Sequence, residues 1–511
     1  MAQLTYRANL TAAELPLLSE FQGRNVINIG PDQNYSRQAS SPKNKDRDIG
    51  IPQIYYCHNV IPTDAGVTSV GYSNLIAAPL DTNYDFDDIF LIRDSNDNVG
   101  YLAVTATGKC YVFVNTSLGW VATTTIAVVA GGEISTAYVN GETYIYFGLL
   151  GCYRYDFASN TLVSVTLTGL NPALILGITT AAGYLIAWTT NKVFWSSTII
   201  PTDFLPSLVT GAGSSGVQQA KATIVSCLPH SSGFVIYTKS NAVAAVFSNN
   251  IQAPFTFREN VGSGGLSNFS LIAFDGNSSD HVGYTTSGLQ QISLTQSQQL
   301  FPQVTDFISG AQFEDFDDTT LRFSQQLLSQ PMQKKLAIIS NRYLIISYGV
   351  NSLTHAIYYD LALARMGKLK IPHVDVFEYT YPSPAVVDAP RKSIAFMQAD
   401  GSIKLLNLQY NTTGANGTII AGKYQLDRNR YVTILETHLE SVQADSMLSV
   451  NWSSTIDGTN GSVSTPTLTE SAGTYRRYNS LLFGLNHSLI VQGAFNLNSL
   501  VLKFTDAGAV R

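Results

Sequence analysis

The chain has 511 residues, a formal net charge of -6 and only 13% charged residues against 45% hydrophobic ones. The charged share is roughly half the ~25% of an average globular domain, and the acidic balance excludes a tight, sequence-independent grip on phosphates, which takes Lys and Arg. The length exceeds one usual core, leaving two or three domains, or one large closed β architecture with additions.

The opening stretch, MAQLTYRANLTAAELPLL, lacks a basic segment followed by an apolar one, so no signal peptide is expected. No run of about 18 apolar residues occurs anywhere, so no membrane span is expected either. Residues 11–21, TAAELPLLSEF, carry helical spacing. From residue 22 to about 80 the chain is rich in Pro, Asn, Gln and mixed charge, the composition of an extended arm that depends on a partner.

The middle of the chain repeats one shape: an apolar, aromatic-rich strand, a short polar turn and a second alternating strand. Anchored at Tyr101, Tyr144, Tyr184, Phe234, Val282, Tyr343 and Ile394, the successive separations are 43, 40, 50, 48, 61 and 51 residues. A loose period of about 40 to 50 is that of a propeller blade. Asn140-Gly141 predicts a type I′ hairpin turn, since both residues tolerate positive φ. The composition, with 27 Tyr, 24 Phe and 39 Gly, suits strands and tight turns. The expected fold is therefore all-β: a β-propeller of six or seven blades with an additional β-rich platform from the chain termini. The expected divisions are an N-terminal arm or platform segment at 1–80, the propeller at 81–420 and a C-terminal β-domain at 421–511.

Residues 209–222, VTGAGSSGVQQAKA, hold Gly211, Gly213 and Gly216 in the spacing of a dinucleotide-binding turn. The surroundings exclude that use. Pro201 and Pro206 stand where a buried parallel strand belongs, no crossover helix fits after the motif, and no Asp or Glu lies between Phe204 and Arg258 to hold a ribose. The glycines are read as a long loop between blade strands.

No other pattern carries catalytic or metal chemistry. Residues 81–88, DTNYDFDD, open like a calcium loop, but Phe86 stands where Gly is needed and Ile92 where a bidentate Glu would close the shell, leaving a solvated turn. Residues 313–318, FEDFDD, alternate aromatics and carboxylates with no second carboxylate at a set distance for glycoside chemistry. Residues 454–461, STIDGTNG, form a hairpin turn around Asp457-Gly458. His58, His230, His281, His355, His373, His438 and His487 are scattered without metal-ligand spacing. Cys57, Cys110, Cys152 and Cys227 are far apart and read as reduced, mostly buried thiols, consistent with synthesis in a cytoplasm. Arg365, Lys368, Lys370, Arg476 and Arg477 cluster weakly and read as surface or interface. No catalytic residue, cofactor or metal is expected, and no enzymatic activity.

Within residues 193–268, a strand ends in Trp195-Ser196 and a turn carries Asp203, Phe204, Pro206 and Ser207. A Gly-rich loop follows, then a strand from Gly233 with Asn241 and Val243 behind it, then Pro254, Phe255, Phe257 and Gly265. This order resembles the tail nozzle proteins of short-tailed, podovirus-like bacteriophages, a group that includes packaged-DNA stabilisation proteins. Residues 364–373, ARMGKLKIPH, are similar to another stretch of that family, with Met366 where an aromatic is common. The resemblance spans about 90–410 and carries no active-site residues. It implies a virion protein: a homohexameric ring at the far end of a short tail, meeting adaptor proteins, tail fibres or a plug or needle protein, around a channel that retains double-stranded DNA and later passes it. The alternative is a carbohydrate-binding, carbohydrate-cleaving or receptor-binding propeller of a phage tail.

Overall fold

The structure, a computed structural model, describes residues 4–9 and the chain from 54 to 509 apart from turns and connections, the longest at 301–313, 323–335 and 381–391. The helical spacing at 11–21 falls outside the described residues. The fold is all-β, and every pairing between strands is antiparallel. Among the described residues the helical elements are single 3-10 turns, Gly148–Leu150 and Pro172–Leu174.

Among the described residues seven four-stranded arrays follow one another along the chain, six of them separate sheets and one, at 336–373, the beginning of a larger sheet. Sheets I to VI occupy residues 86–122, 134–165, 177–216, 224–263, 271–299 and 336–373. Sheet VII takes three strands from 375–407 and its fourth, Gly71–Ile76, from near the other end of the chain. In sheets I to VI the four strands pair in chain order. Asn140 and Gly141 have φ of 51° and 86° and join paired Val139 and Glu142, the type I′ geometry read from the sequence.

The second strand of each array is where the sequence is most continuously apolar. Tyr184–Trp188 and Gly233–Thr238 are buried at every position, because both faces of these sheets are covered. The period of two sends alternate side chains to opposite neighbours. Ile145 and Phe147 pack toward sheet I, whereas Tyr144 and Tyr146 pack toward sheet III. Ile394 and Phe396 join the core shared with sheet VI, while Ala395 and Met397 join that shared with sheet I. Trp188, Trp195, Phe234 and Phe255 fill the space between III and IV, and Val235, Tyr237 and Ile292 that between IV and V.

Sheet VII is also tied to sheet I by hydrogen bonds. The Ile89 N–H donates to Asp375 Oδ2 at 3.0 Å, and the Trp120 indole N–H donates to the Gly401 carbonyl at 2.8 Å. The Tyr101 hydroxyl donates to the Glu378 carbonyl and accepts from the Thr380 N–H.

Strands from both ends of the chain build the remainder. The last strand of sheet VI, Arg365–His373, continues without a break in pairing through Val60–Pro62, Val67–Ser69, Asn496–Ala509, Arg430–Ser441, Tyr475–Gly484 and Thr467–Ala472 into an eleven-stranded sheet that also includes Leu4–Asn9. A separate five-stranded sheet runs Ile54–His58, Gly417–Tyr424, Asn486–Gly493, Ser449–Thr455, Ser462–Ser464. Trp452, fully buried, links the two by donating its indole N–H to Thr437 Oγ1 at 2.9 Å. Thus much of the stretch read from sequence as an arm, from residue 54 onward, is paired into three sheets.

Candidate functional site

One cavity of about 370 Å³ is lined by the first strand of all seven arrays: Phe90, residues 134–138, residues 178–180, residues 227–229, Ile272, residues 336–339 and residues 376–378, with Trp188 behind them. Its polar side-chain groups are the hydroxyls of Ser135, Thr136, Tyr138, Thr179 and Thr180, the indole N–H of Trp188, one thiol and one carboxylate. The carboxylate, Glu378, is paired with Lys392 at 2.5 Å and accepts the Ser340 N–H at 2.6 Å. The thiol, Cys227, is pushed well above its ordinary pKa by complete burial, which leaves it protonated and unreactive. Neither a nucleophile activated by a base nor a pair of carboxylates occurs in this lining.

The buried histidines serve as hydrogen-bonded packing groups. His281 donates from Nε2 to the Pro229 carbonyl at 2.7 Å and its Nδ1 accepts the Tyr237 hydroxyl at 2.9 Å. His373 donates from Nδ1 to the Ile371 carbonyl at 2.7 Å and accepts the Ser347 hydroxyl at Nε2. In both, burial lowers the pKa to about 4, so the rings are neutral. His230 meets His281 edge to face and accepts the Ser232 N–H. Among the described residues no group of three His, Cys, Asp or Glu could hold a metal ion. Cys110, Cys152 and Cys227 are buried free thiols, as the sequence suggests.

Two readings of charged residues are corrected. Asp88, taken from sequence as part of a solvated turn, lies buried in the first strand of sheet I, Phe86–Arg93, while Asp85 is exposed. Lys368 and Arg476, which the sequence reads as surface or interface groups, are buried within the chain, whereas Lys370 is exposed. In 313–318, Glu314–Asp315 pairs with Asp318–Arg322 as a hairpin. The turn around Asp457-Gly458 lies outside the described residues.

The stretch from Trp195 to Gly216 shows why its glycines are spaced as they are. Gly213–Gly216 is the fourth strand of sheet III, not a loop as the sequence reading had it. Trp195 donates its indole N–H to the Gly211 carbonyl at 2.8 Å, and Gly211 has a φ of 74°. Gly213 stands opposite Trp195, and a Cβ there would come within 3.1 Å of the indole. The motif accommodates a tryptophan.

Between these strands, residues 197–212 form a loop fixed by short-range bonds. Ser197 Oγ accepts the N–H groups of Ile199 and Ile200, Asp203 Oδ1 that of Leu205, and Ser207 Oγ those of Val209 and Thr210. Phe204 anchors the loop in the core between sheets II and III. The loop holds large apolar side chains in solvent: Ile199 is 70% exposed, Leu208 71% and Val209 80%, with Ile200 and Leu205 also exposed. Asp203 is its one charged residue. Isolated exposed apolar residues need no explanation; here five of them fall within eleven residues of one bonded loop. In sequence the loop is IIPTDFLPSLV, a nearly uncharged apolar run broken by prolines, which by itself reads as core.

The chain matches no family model and no curated protein.

The residues singled out within 193–268 lie in and between sheets III and IV. Trp195, Val243 and Phe255 share one core, Asn241 closes a turn by bonding Thr238 and the Gln219 carbonyl, and Asp203, Pro206 and Ser207 shape the exposed loop.

Proposed function

We propose that the chain is a structural subunit of a phage tail nozzle, and that its seven sheets close into a seven-bladed propeller. The closure is supported by the cores between sheets I to V in succession, between VI and VII and between VII and I, by the cavity that every first strand lines, and by the bonds from sheet VII to sheet I. A fourth strand taken from near the other end of the chain is the usual physical means of fastening such a wheel, because neither end can then peel away alone.

The observation that carries the function is the bonded apolar loop at 197–212, which lies inside the stretch resembling nozzle proteins and presents a surface suited to another protein. An acidic, low-charge subunit around a passage holds few phosphates by counterion release, so DNA slides past it and retention falls to a constriction or a plug protein. The platform strands supply further area for contacts within a ring and with adaptors.

Electron-microscope class averages of the purified, concentrated protein test this. A six-fold ring with an axial opening is expected; trimers, or release of sugars from a glycan library, would replace the nozzle reading with a receptor-binding or carbohydrate-cleaving one.

A further inference from the structure

The seven first strands that line the cavity each end their sheet, so among the described residues one backbone edge of every one has no partner strand. Hydroxyl side chains gather on two of them. Ile134–Val139 brings Ser135, Thr136 and Tyr138, and Gly177–Ala181 brings Thr179 and Thr180. Two of these hydroxyls are used inside the chain: Ser135 Oγ accepts the Ile178 N–H at 2.8 Å, and Thr180 Oγ1 donates to the Tyr184 carbonyl at 3.4 Å. Among the described residues the hydroxyls of Thr136, Tyr138 and Thr179 have no hydrogen-bond partner. Thr179 is only 4% exposed. A hydroxyl buried so far without a partner is a cost that Val in its place would not carry, and its partner has to come from what enters the cavity. The Trp188 indole N–H, fully buried at the same wall, lacks an acceptor as well.

Charge narrows the class of ligand. Among the described residues no Lys, Arg or His lines the cavity to neutralise an anion. Arg93 reaches the Tyr138 ring, its guanidinium 5.9 Å from the centroid, without joining the lining. The Glu378 carboxylate has both oxygens engaged, one by Lys392 and the other by Ser340, and is not left for a cation. The remaining first strands contribute apolar groups, among them Leu228, Ile272, Ile338 and Phe377, and Tyr138 adds an aromatic ring that is 46% exposed. A volume of about 370 Å³ with a mostly apolar wall and a few convergent polar groups is the make-up of a small-molecule site. The matching ligand is uncharged, with hydroxyls around its rim and C–H groups on its faces. A pyranose ring has that form.

We propose that the cavity is a binding site for a neutral saccharide unit, held by the hydroxyls of Thr136, Tyr138 and Thr179. The site binds without cleaving, since glycoside hydrolysis ordinarily takes a pair of carboxylates and Glu378 stands alone in the lining. This goes beyond the nozzle reading and does not depend on it.

Saturation-transfer NMR and titration calorimetry on the full-length chain test the site, with glucose, galactose, mannose and rhamnose as probes beside glucuronic acid and glucosamine as charged counterparts. Millimolar or tighter binding of at least one neutral sugar is expected, with weaker binding of the charged ones. Thr179→Val and Thr136→Val keep the side-chain shape and remove a hydroxyl that bonds nothing in the chain. Each should weaken binding about two- to tenfold and leave thermal stability unchanged or raised, a combination that a purely structural role would not give. Tyr138→Phe supplies a third variant should either impair folding. Failure of all four neutral sugars to bind, equal binding of glucuronic acid or glucosamine, or undiminished binding by the variants would overturn the proposal. A free sugar and the end unit of a longer glycan share this chemistry: methyl glycosides that bind as well as the free sugar assign the site to a glycan end, and loss of binding on methylation assigns it to the free sugar. Native mass keeps the two ideas apart, because six-copy rings that bind no sugar remove the site alone, whereas single chains that bind one remove the ring alone.

Discussion

The carboxylate of Asp375, 1% exposed, accepts the backbone N–H of Ile89 at 3.0 Å and so joins the first strand of sheet VII to that of sheet I. Its other oxygen accepts the Val376 N–H. Removing it leaves buried donors without this acceptor, which costs about 1–3 kcal/mol. Asp375→Ala is therefore expected to lower the denaturant midpoint with an unchanged slope, and Asp375→Asn, which keeps an acceptor oxygen, to lower it less. Equal midpoints for all three proteins would show that this tie contributes nothing to stability.

A methyl group at position 213 meets the indole of Trp195 at 3.1 Å, while one at position 216 meets nothing within 4 Å. Gly213→Ala should cost about 1 kcal/mol or more through displacement of the ring, and Gly216→Ala should be close to neutral. Chemical denaturation of the two variants side by side checks the packing role assigned to the motif. The reverse order of effects would return the glycines to some other duty.

Ile199 and Val209 touch solvent and are not part of the core. Ile199→Asp and Val209→Asp should leave thermal stability within about 0.5 kcal/mol, the usual range for surface changes, yet reduce assembly, read as a shift of the particle distribution toward single chains in sedimentation. Unchanged assembly in the double variant would remove this loop from the contact.

His281 and His373 have pKa values lowered by burial from 6.5 to about 4. The folded protein therefore binds these protons less readily than the unfolded chain. Their contribution is full above pH 6.5 and is lost as pH falls from about 6.5 toward about 4, with a slope approaching about 1.4 kcal/mol per pH unit for each ring. Denaturant midpoints at pH 7 and pH 4.5 should differ more for the parent than for His373→Gln. The same difference in both would assign the acid sensitivity to other groups.

The repeating arrays were legible because their most buried strands are also their most apolar. Each of the seven anchor residues, from Tyr101 to Ile394, falls on the second strand of its array. That strand is covered on both faces and needs apolar residues throughout, whereas first strands such as Ile134–Val139 and Ile224–His230 mix buried and half-exposed positions and give a weaker pattern. The fourth strand of sheet III escaped notice because GSSG has no side chains characteristic of a strand; only its partners Lys192–Trp195 place it there. Gly71–Ile76 escaped because its partner, Ile403–Asn407, is more than 300 residues away, a distance at which local composition carries no pairing information. Of the candidate site, the exposure of Ile199, Leu208 and Val209 is not legible in the sequence, since an apolar run by itself reads as core.

Native mass spectrometry of the intact chain over a wide concentration range tests the central claim most directly, that this protein is a building block of a ring around a passage. A dominant species of six copies at high concentration is expected. A single copy of 55.4 kDa at every concentration would contradict it.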